Sequence, residues 1–268
     1  MDDKPNLDVG MPSRPDAGTA EPAGGPDAPP YINLGHRLRL GLLQPSVNNV
    51  AEPTLNAMLP KGVSLHTTRL KLIESDAKSL LESMTEKIEE ACALLADCAV
   101  DRILFHCTAV TVHDPGVAES ITSRISAAAG VPANVTSEGI IAAFERLGAS
   151  RIVLVAPYIQ EVTDNEVAFF KHFGISVVRE HGLEMAGARQ FEAIEPSTWY
   201  RITMENRDDR ADAYFISCAS SRASEAIGAL EYDLGRPVVT SNTAATWHCL
   251  RESGINDHVP GFGALFRL

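Results

Sequence analysis

Residues 102–113 read RILFHCTAVTVH, from Arg102 to His113, and the reading of this stretch decides the fold. Arg-Ile-Leu-Phe is a short apolar run of strand-forming residues that ends at Cys107. Small and hydroxyl-bearing residues come next, before a helical pattern that starts near Val117. A thiol so placed stands at the carboxyl end of a strand and faces the amino end of a helix. Unpaired backbone N–H groups and the helix dipole favour an anion there, which is expected to lower the thiol pKa and make the group reactive. A second stretch, AYFISCASSRASEAIGALE from Ala213 to Glu231, puts Cys218 in the same expected context.

Outward from these two turns, strands and helices alternate. Strands are predicted over 37–43, 63–70, 102–106, near 131–135, and over 151–157, 175–183, 213–217 and 237–239. One long amphipathic helix is predicted from Asp76 to Cys98, with Leu80, Leu81, Met84, Ile88, Ala91, Leu94 and Leu95 at helical spacing. Further helices are predicted over 117–129, 137–147, 161–173, 197–208, 222–234 and 242–252. The alternation points to an α/β fold with parallel sheets.

The pattern also repeats. Pro45 and Pro157 close strands 112 residues apart, and Cys107 and Cys218 lie 111 apart. Thr136-Ser137 and Thr240-Ser241 come after similar short strands, 104 apart. Three landmarks in one order at nearly one offset suggest two similar α/β lobes. The division expected is 35–135 plus 245–268 for the first lobe and 136–244 for the second. Residues 1–34, rich in Pro, Gly and Ala, are expected to form a disordered tail. Ligands of open parallel sheets sit beyond the carboxyl ends of the strands, so both thiols are expected to face one cleft between the lobes.

The composition narrows the partners. A chain of 268 residues that is 45% hydrophobic and 22% charged is of ordinary globular type. No apolar run reaches the roughly 18 residues of a membrane span, and no signal-peptide h-region is seen, so no membrane partner is expected. Five cysteines without scaffold-like spacing suggest thiols in a reducing cytoplasm. A formal charge of −12 argues against a nucleic-acid surface and draws in no anion from a distance. A bound acid must be held by local donors. There is no CxxC, HExxH, GxGxxG or GxxxxGK[ST], so no metal or nucleotide site is expected. A homo-oligomer is left open.

The other strand ends supply such donors. QPSVNN offers Ser46, Asn48 and Asn49, and APYIQEV offers Tyr158. Donors of this kind, with backbone N–H groups, can hold a carboxylate without a full positive charge nearby. The same residues are also common turn formers. His113 and His248 are candidates for the cleft, although a lone histidine is more often a surface or satisfied residue. Cys92, Cys98 and Cys249 belong to helical stretches and read as core or surface thiols.

The set PSVNNVAEP, FHCTAVTV, VAPYIQEV, ISCASSR, VVTSNTAATWHCLRESG and PGFGALF, in that order between 45 and 266, resembles the Asp/Glu racemase superfamily. Within it the similarity is to maleate cis–trans isomerases and arylmalonate decarboxylases. The resemblance implies two α/β lobes, an active site between them, a small carboxylic acid as substrate, and no metal or organic cofactor. It assigns Cys107 and Cys218 to catalysis, one from each lobe, and Asn48 and Tyr158 to the substrate carboxylates. Ser46 and the turn residues Thr108, Ala109 and Ala219 complete the expected substrate contacts. The decarboxylases usually carry glycine at the first cysteine position, so Cys107 leans toward the isomerase branch. Val162-Thr163 and Ala219-Ser220 depart from the pattern. A two-cysteine racemase, a malonate-type decarboxylase and a non-catalytic acid-binding protein stay open as alternatives.

Overall fold

In the computed structural model, which describes residues 33–73, 77–185 and 187–268, the apolar runs RILF and RIVLVA are inner strands of two separate sheets. Such runs suit strands covered by helices on both faces, where alternation is lost. The first sheet is built from β1 (Leu38–Pro45), α1 (Ala51–Met58), β2 (Val63–Leu70), α2 (Ala77–Thr85), α3 (Ile88–Asp97), β3 (Arg102–Phe105), α4 (Thr108–Thr111), α5 (Pro115–Ala129) and β4 (Ala133–Val135). Next comes α6 (Thr136–Leu147). The second sheet is made with β5 (Arg151–Ala156), α7 (Gln160–His172), β6 (Ser176–Gly182), α8 (Ala188–Glu192), α9 (Pro196–Glu205), β7 (Ala213–Ile216), α10 (Ile227–Leu234) and β8 (Val238–Thr240). The last α-helix is α11 (Ser241–Glu252).

The strand orders are β2-β1-β3-β4 and β6-β5-β7-β8, and every pairing is parallel. The repeat seen in the sequence is therefore a repeat of topology. Leu43 lies opposite Phe105 in the first sheet, and Val155 lies opposite Ile216 in the second. Each pair stands two residues short of its proline and its cysteine, so the offsets of 112 and 111 are the offsets of matched strand ends.

The two lobes are joined by helix exchange. α6 leaves the first sheet yet lays Phe144 edge-on against Phe170 and Phe215 of the second lobe, with ring centroids 6.0 Å apart in both pairs. α11 leaves the second sheet and packs on α1 and β3. There Arg102 of β3 donates to Ser253 Oγ at 3.0 Å and to the Glu252 carbonyl at 3.0 Å. α6 and α11 cross at Gly139, where an added Cβ would sit 2.9 Å from the Ala244 carbonyl oxygen and 3.0 Å from Ala245 Cα.

Some local expectations change. The helix expected from 76 to 98, whose first residue lies outside the described residues, is two helices from Ala77 on, because Lys87 leaves helical geometry (φ −117°, ψ 29°) between α2 and α3. Met84 and Ile88 are both buried across the break, so the apolar spacing runs through it unmarked. The helix expected from Val117 begins at Pro115, capped by Asp114 accepting from the Gly116 N–H. The stretch expected as one helix over 222–234 opens as a 3₁₀ turn, Arg222–Ala226. α8 was not anticipated. The tail expected over 1–34 lies, up to residue 32, outside the described residues.

Gly139→Val forces the crossing helices apart and is expected to cost about 1–3 kcal/mol, the range for overpacking a tight contact, read as a lower urea midpoint at unchanged m-value. Gly228→Ala in α10 is the control. Nothing lies within 4 Å of a Cβ there, and stability should hold or rise.

Candidate active site

The carboxyl ends of β1, β3, β5 and β7 open on one cavity of about 430 Å³. Its wall includes Pro45, Asn48, Cys107, Thr108, Ala109, Tyr158, Cys218, Ala219 and Ser220, so seven of the eight expected site residues meet there. Ser46 is the exception. Its hydroxyl accepts the Leu72 N–H at 3.3 Å, and it stands outside the lining. By strand register Ser46 is the counterpart of Tyr158, so the two lobes offer different groups at matched positions.

Cys107 follows β3 by two residues, in extended geometry (φ −149°, ψ 105°), as the cap residue of α4. Cys218 is held differently. Its φ is +94°, a conformation that costs a non-glycine residue roughly 1–3 kcal/mol unless the surroundings impose it. The surroundings here are the Cys218 N–H donating to Ser241 Oγ at 3.1 Å and the Ser221 N–H donating to the Cys218 carbonyl at 3.2 Å. The chain beyond Cys218 makes a turn and then enters the 3₁₀ segment. The helix end beside it is that of α11, so the expected match of two strand-to-helix turns fails on the second side.

The expected activation of Cys218 is also reversed. The Tyr158 hydroxyl donates to its sulfur, and the Ser220 N–H does so at 3.3 Å; both favour the thiolate. Desolvation outweighs them and pushes the thiol up to about 12. Cys107 adds to the rise, which means the two sulfurs feel each other across the cavity. Tyr158 is itself raised by burial and stays a neutral donor.

Asn48 combines both roles the sequence allowed it. Its Oδ1 accepts from the Val50 and Ala51 N–H groups, each at 2.9 Å, and so caps α1. That fixes the carboxamide and leaves Nδ2 buried in the cavity wall with no hydrogen-bond partner among the described residues. Thr108 Oγ1 is unpartnered in the same way. The remaining wall is largely apolar, with Leu72, Leu80, Leu81, Val110, Met185 and Phe191 among its members. His113 and Glu161 also line it, and among the described residues no Lys or Arg does. His248 belongs instead to a separate groove with Glu138 and Glu252.

Two buried groups behind the cavity were missed by sequence reasoning. His106 shares its ring nitrogens with Thr136 Oγ1 at 3.0 Å and Asn242 Oδ1 at 2.7 Å, and burial lowers it to about 4, leaving a neutral ring that ties β3 to α6 and α11. Glu166 on α7 accepts from Ser217 Oγ. The only signal in the sequence was that His106 and Ser217 each precede a cysteine. Of the other thiols, Cys92 and Cys249 are buried and Cys98 is exposed. Among the described residues no group of three or more His, Cys, Asp or Glu side chains could hold a metal ion, and no helix is long and apolar enough to cross a membrane.

A family model described as arylmalonate decarboxylase matches residues 40–266. The maleate isomerase of Nocardia farcinica is 29% identical over 242 residues, covering 85% of this chain and 95% of that protein. The maleate isomerase of Geobacillus stearothermophilus is 25% identical over 247 residues, covering 87% and 98%. A solved mutant of the Nocardia farcinica maleate cis–trans isomerase, carrying a covalently bound succinylcysteine intermediate, superposes with a TM-score of 0.80 at 24% identity, over 86% of this chain and 98% of that one. Fold, cavity and family match converge: this chain belongs to the arylmalonate decarboxylase family, within the Asp/Glu racemase superfamily.

Proposed function

We propose that this enzyme interconverts the cis and trans forms of maleate, or of a closely related small unsaturated diacid, through a cysteine adduct and without a cofactor. The observation that carries the reading is the placement of Cys107 and Cys218 on one cavity, with Tyr158 bonded to the second thiol. The isomerase relatives support it across nearly the whole chain. A plain decarboxylase has no use for a second thiol in that position.

Each step draws on a group present in the cavity. The thiolate of Cys107 adds to one alkene carbon and forms a C–S bond, while the π electrons move toward the far carboxylate. The unpartnered donors Asn48 Nδ2 and Thr108 Oγ1 would hold that gathering charge, as polar groups preorganised in a dry site do. Cys218, kept as a thiol by burial, would give its proton to the adjacent carbon. The former double bond is now single and rotates. Cys218 takes a proton back, the C–S bond breaks, and the trans diacid leaves. The largely apolar wall would strengthen each of these polar contacts by excluding water. With no Lys or Arg among the described residues of the wall, the diacid would be recognised through hydrogen-bond donors such as Asn48 Nδ2 and Thr108 Oγ1.

Incubation with maleate, a substituted malonate and chiral amino acids in deuterated buffer, monitored by NMR, separates the alternatives. Fumarate formation is the expected result. Release of carbon dioxide, or deuterium at the stereocentre of an amino acid, would replace this reading with decarboxylation or racemisation. Cys107→Ala should lower turnover by about 10³-fold or more, as loss of a covalent nucleophile does. Asn48→Asp retains an oxygen to cap α1 but turns a carboxylate oxygen toward a dianion. KM is expected to rise by about tenfold or more, the size of a lost hydrogen bond to a charged group, at a melting temperature close to that of the unaltered protein.

A further inference from the structure

Glu166 is a buried ionisable group that the proposed chemistry leaves unused. It projects from α7, the helix that begins directly after the Tyr158 turn, and none of it reaches solvent. Its Oε1 accepts from Ser217 Oγ, and its Oε2 has no hydrogen-bond partner among the described residues. An ionised carboxylate with one oxygen so placed is costly, far more so than the neutral acid. Burial accordingly raises its pKa to about 8. The titratable groups that feel its charge are Tyr158, from the preceding turn, and Cys218, from the end of β7. Burial and the Ser217 bond are the influences acting on Glu166 itself, and no cation is among them.

The contrast between lobes isolates what is peculiar to this position. His106 and Ser217 are counterparts. Each immediately precedes a cysteine, and each sends its N–H to the neighbouring strand at 2.8 Å, to Leu43 and to Val155. Behind Cys107 that position is filled by a histidine whose two nitrogens are both paired. Behind Cys218 it is a hydroxyl resting on a carboxyl group that is half unsatisfied. The left-handed backbone of Cys218 rises directly from this pair.

We propose that Glu166 is a positioning residue which, as a neutral acid, braces Ser217 beneath the strained Cys218 turn and keeps the floor of the cavity free of negative charge. Ionised, it would oppose formation of the Cys218 thiolate and so make Cys218 a poorer proton donor. A raised carboxyl pKa means the neutral form persists below about pH 8, and its support of Cys218 is lost as pH rises through that value. The effect on turnover rests on the two-thiol reading of the cavity; the effect on the thiol itself does not.

Two measurements on Glu166→Gln and Ser217→Ala decide the matter. The first is the alkylation rate of Cys218 by iodoacetamide between pH 7 and 10, resolved by peptide mass spectrometry. The second is the pH profile of kcat with maleate. Glu166→Gln cannot ionise, so Cys218 should alkylate at least threefold faster than in the unaltered protein above pH 8.5. The fall in kcat on the basic side should also disappear. Ser217→Ala removes the one bond that favours the ionised form, so the fall should move to higher pH. A residue acting only as core filler would shift neither profile. Cys218 alkylation that is identical in all three proteins would overturn the proposal. If none of them turns over maleate, the isomerase reading fails, while the alkylation rates still decide the role of Glu166.

Discussion

The crossing of α6 and α11 is the constraint on which the site depends. At Gly139 the backbones approach too closely for any side chain to stand between them. Each of these helices leaves its own sheet and packs on the other lobe, so the two sheets cannot separate without unpacking a helix. The crossing therefore fixes how the strand ends face one another. Phe144 on one side and Arg102 with its partners on the other anchor the exchange, the first by apolar packing and the second by hydrogen bonds. A parallel sheet presents its loops at one end only, and two such ends brought together enclose a cavity to which each contributes a cysteine.

In that cavity and in the buried layer behind it, desolvation sets the electrostatics. It keeps Cys218 and Tyr158 protonated, holds His106 neutral, and raises Glu166. The hydrogen bonds to Cys218 act in the opposite direction and are overruled. With no Lys or Arg among the described residues of the wall, its hydrogen-bond donors include the Asn48 amide and the Thr108 and Tyr158 hydroxyls. Asn48 shows how such a donor is aimed. The start of α1 consumes its oxygen and leaves the nitrogen to the cavity, so one residue caps a helix and supplies a contact.

The lobes match in topology but not in chemistry. Tyr158 answers to Ser46, and Ser217 answers to His106, so groups at corresponding strand ends have diverged while the strands beneath them have not. Cys107 caps a helical turn, whereas Cys218 sits in a left-handed turn held by Ser241. A site with two different sides can present a nucleophile from one and a proton donor from the other.

Much of this was legible in the chain itself. Apolar runs ending in Cys or Pro, repeated at an offset of 111 or 112, were enough for two parallel α/β lobes, because strand pairing reads local periodicity and strand length. The same landmarks singled out Cys107, Cys218, Asn48 and Tyr158. Ser46 misled because a side chain's direction within a turn is set by neighbours distant in sequence, here Leu72. The break at Lys87 escaped notice because an apolar stripe continues across it. The sequence by itself determined which elements form and which residues end the strands. Only the tertiary structure decided the protonation of Cys218, the burial of Glu166 against Ser217, and the helix exchange that brings the lobes together. Those depend on how much water is removed from each group, and water is removed by residues far apart along the chain.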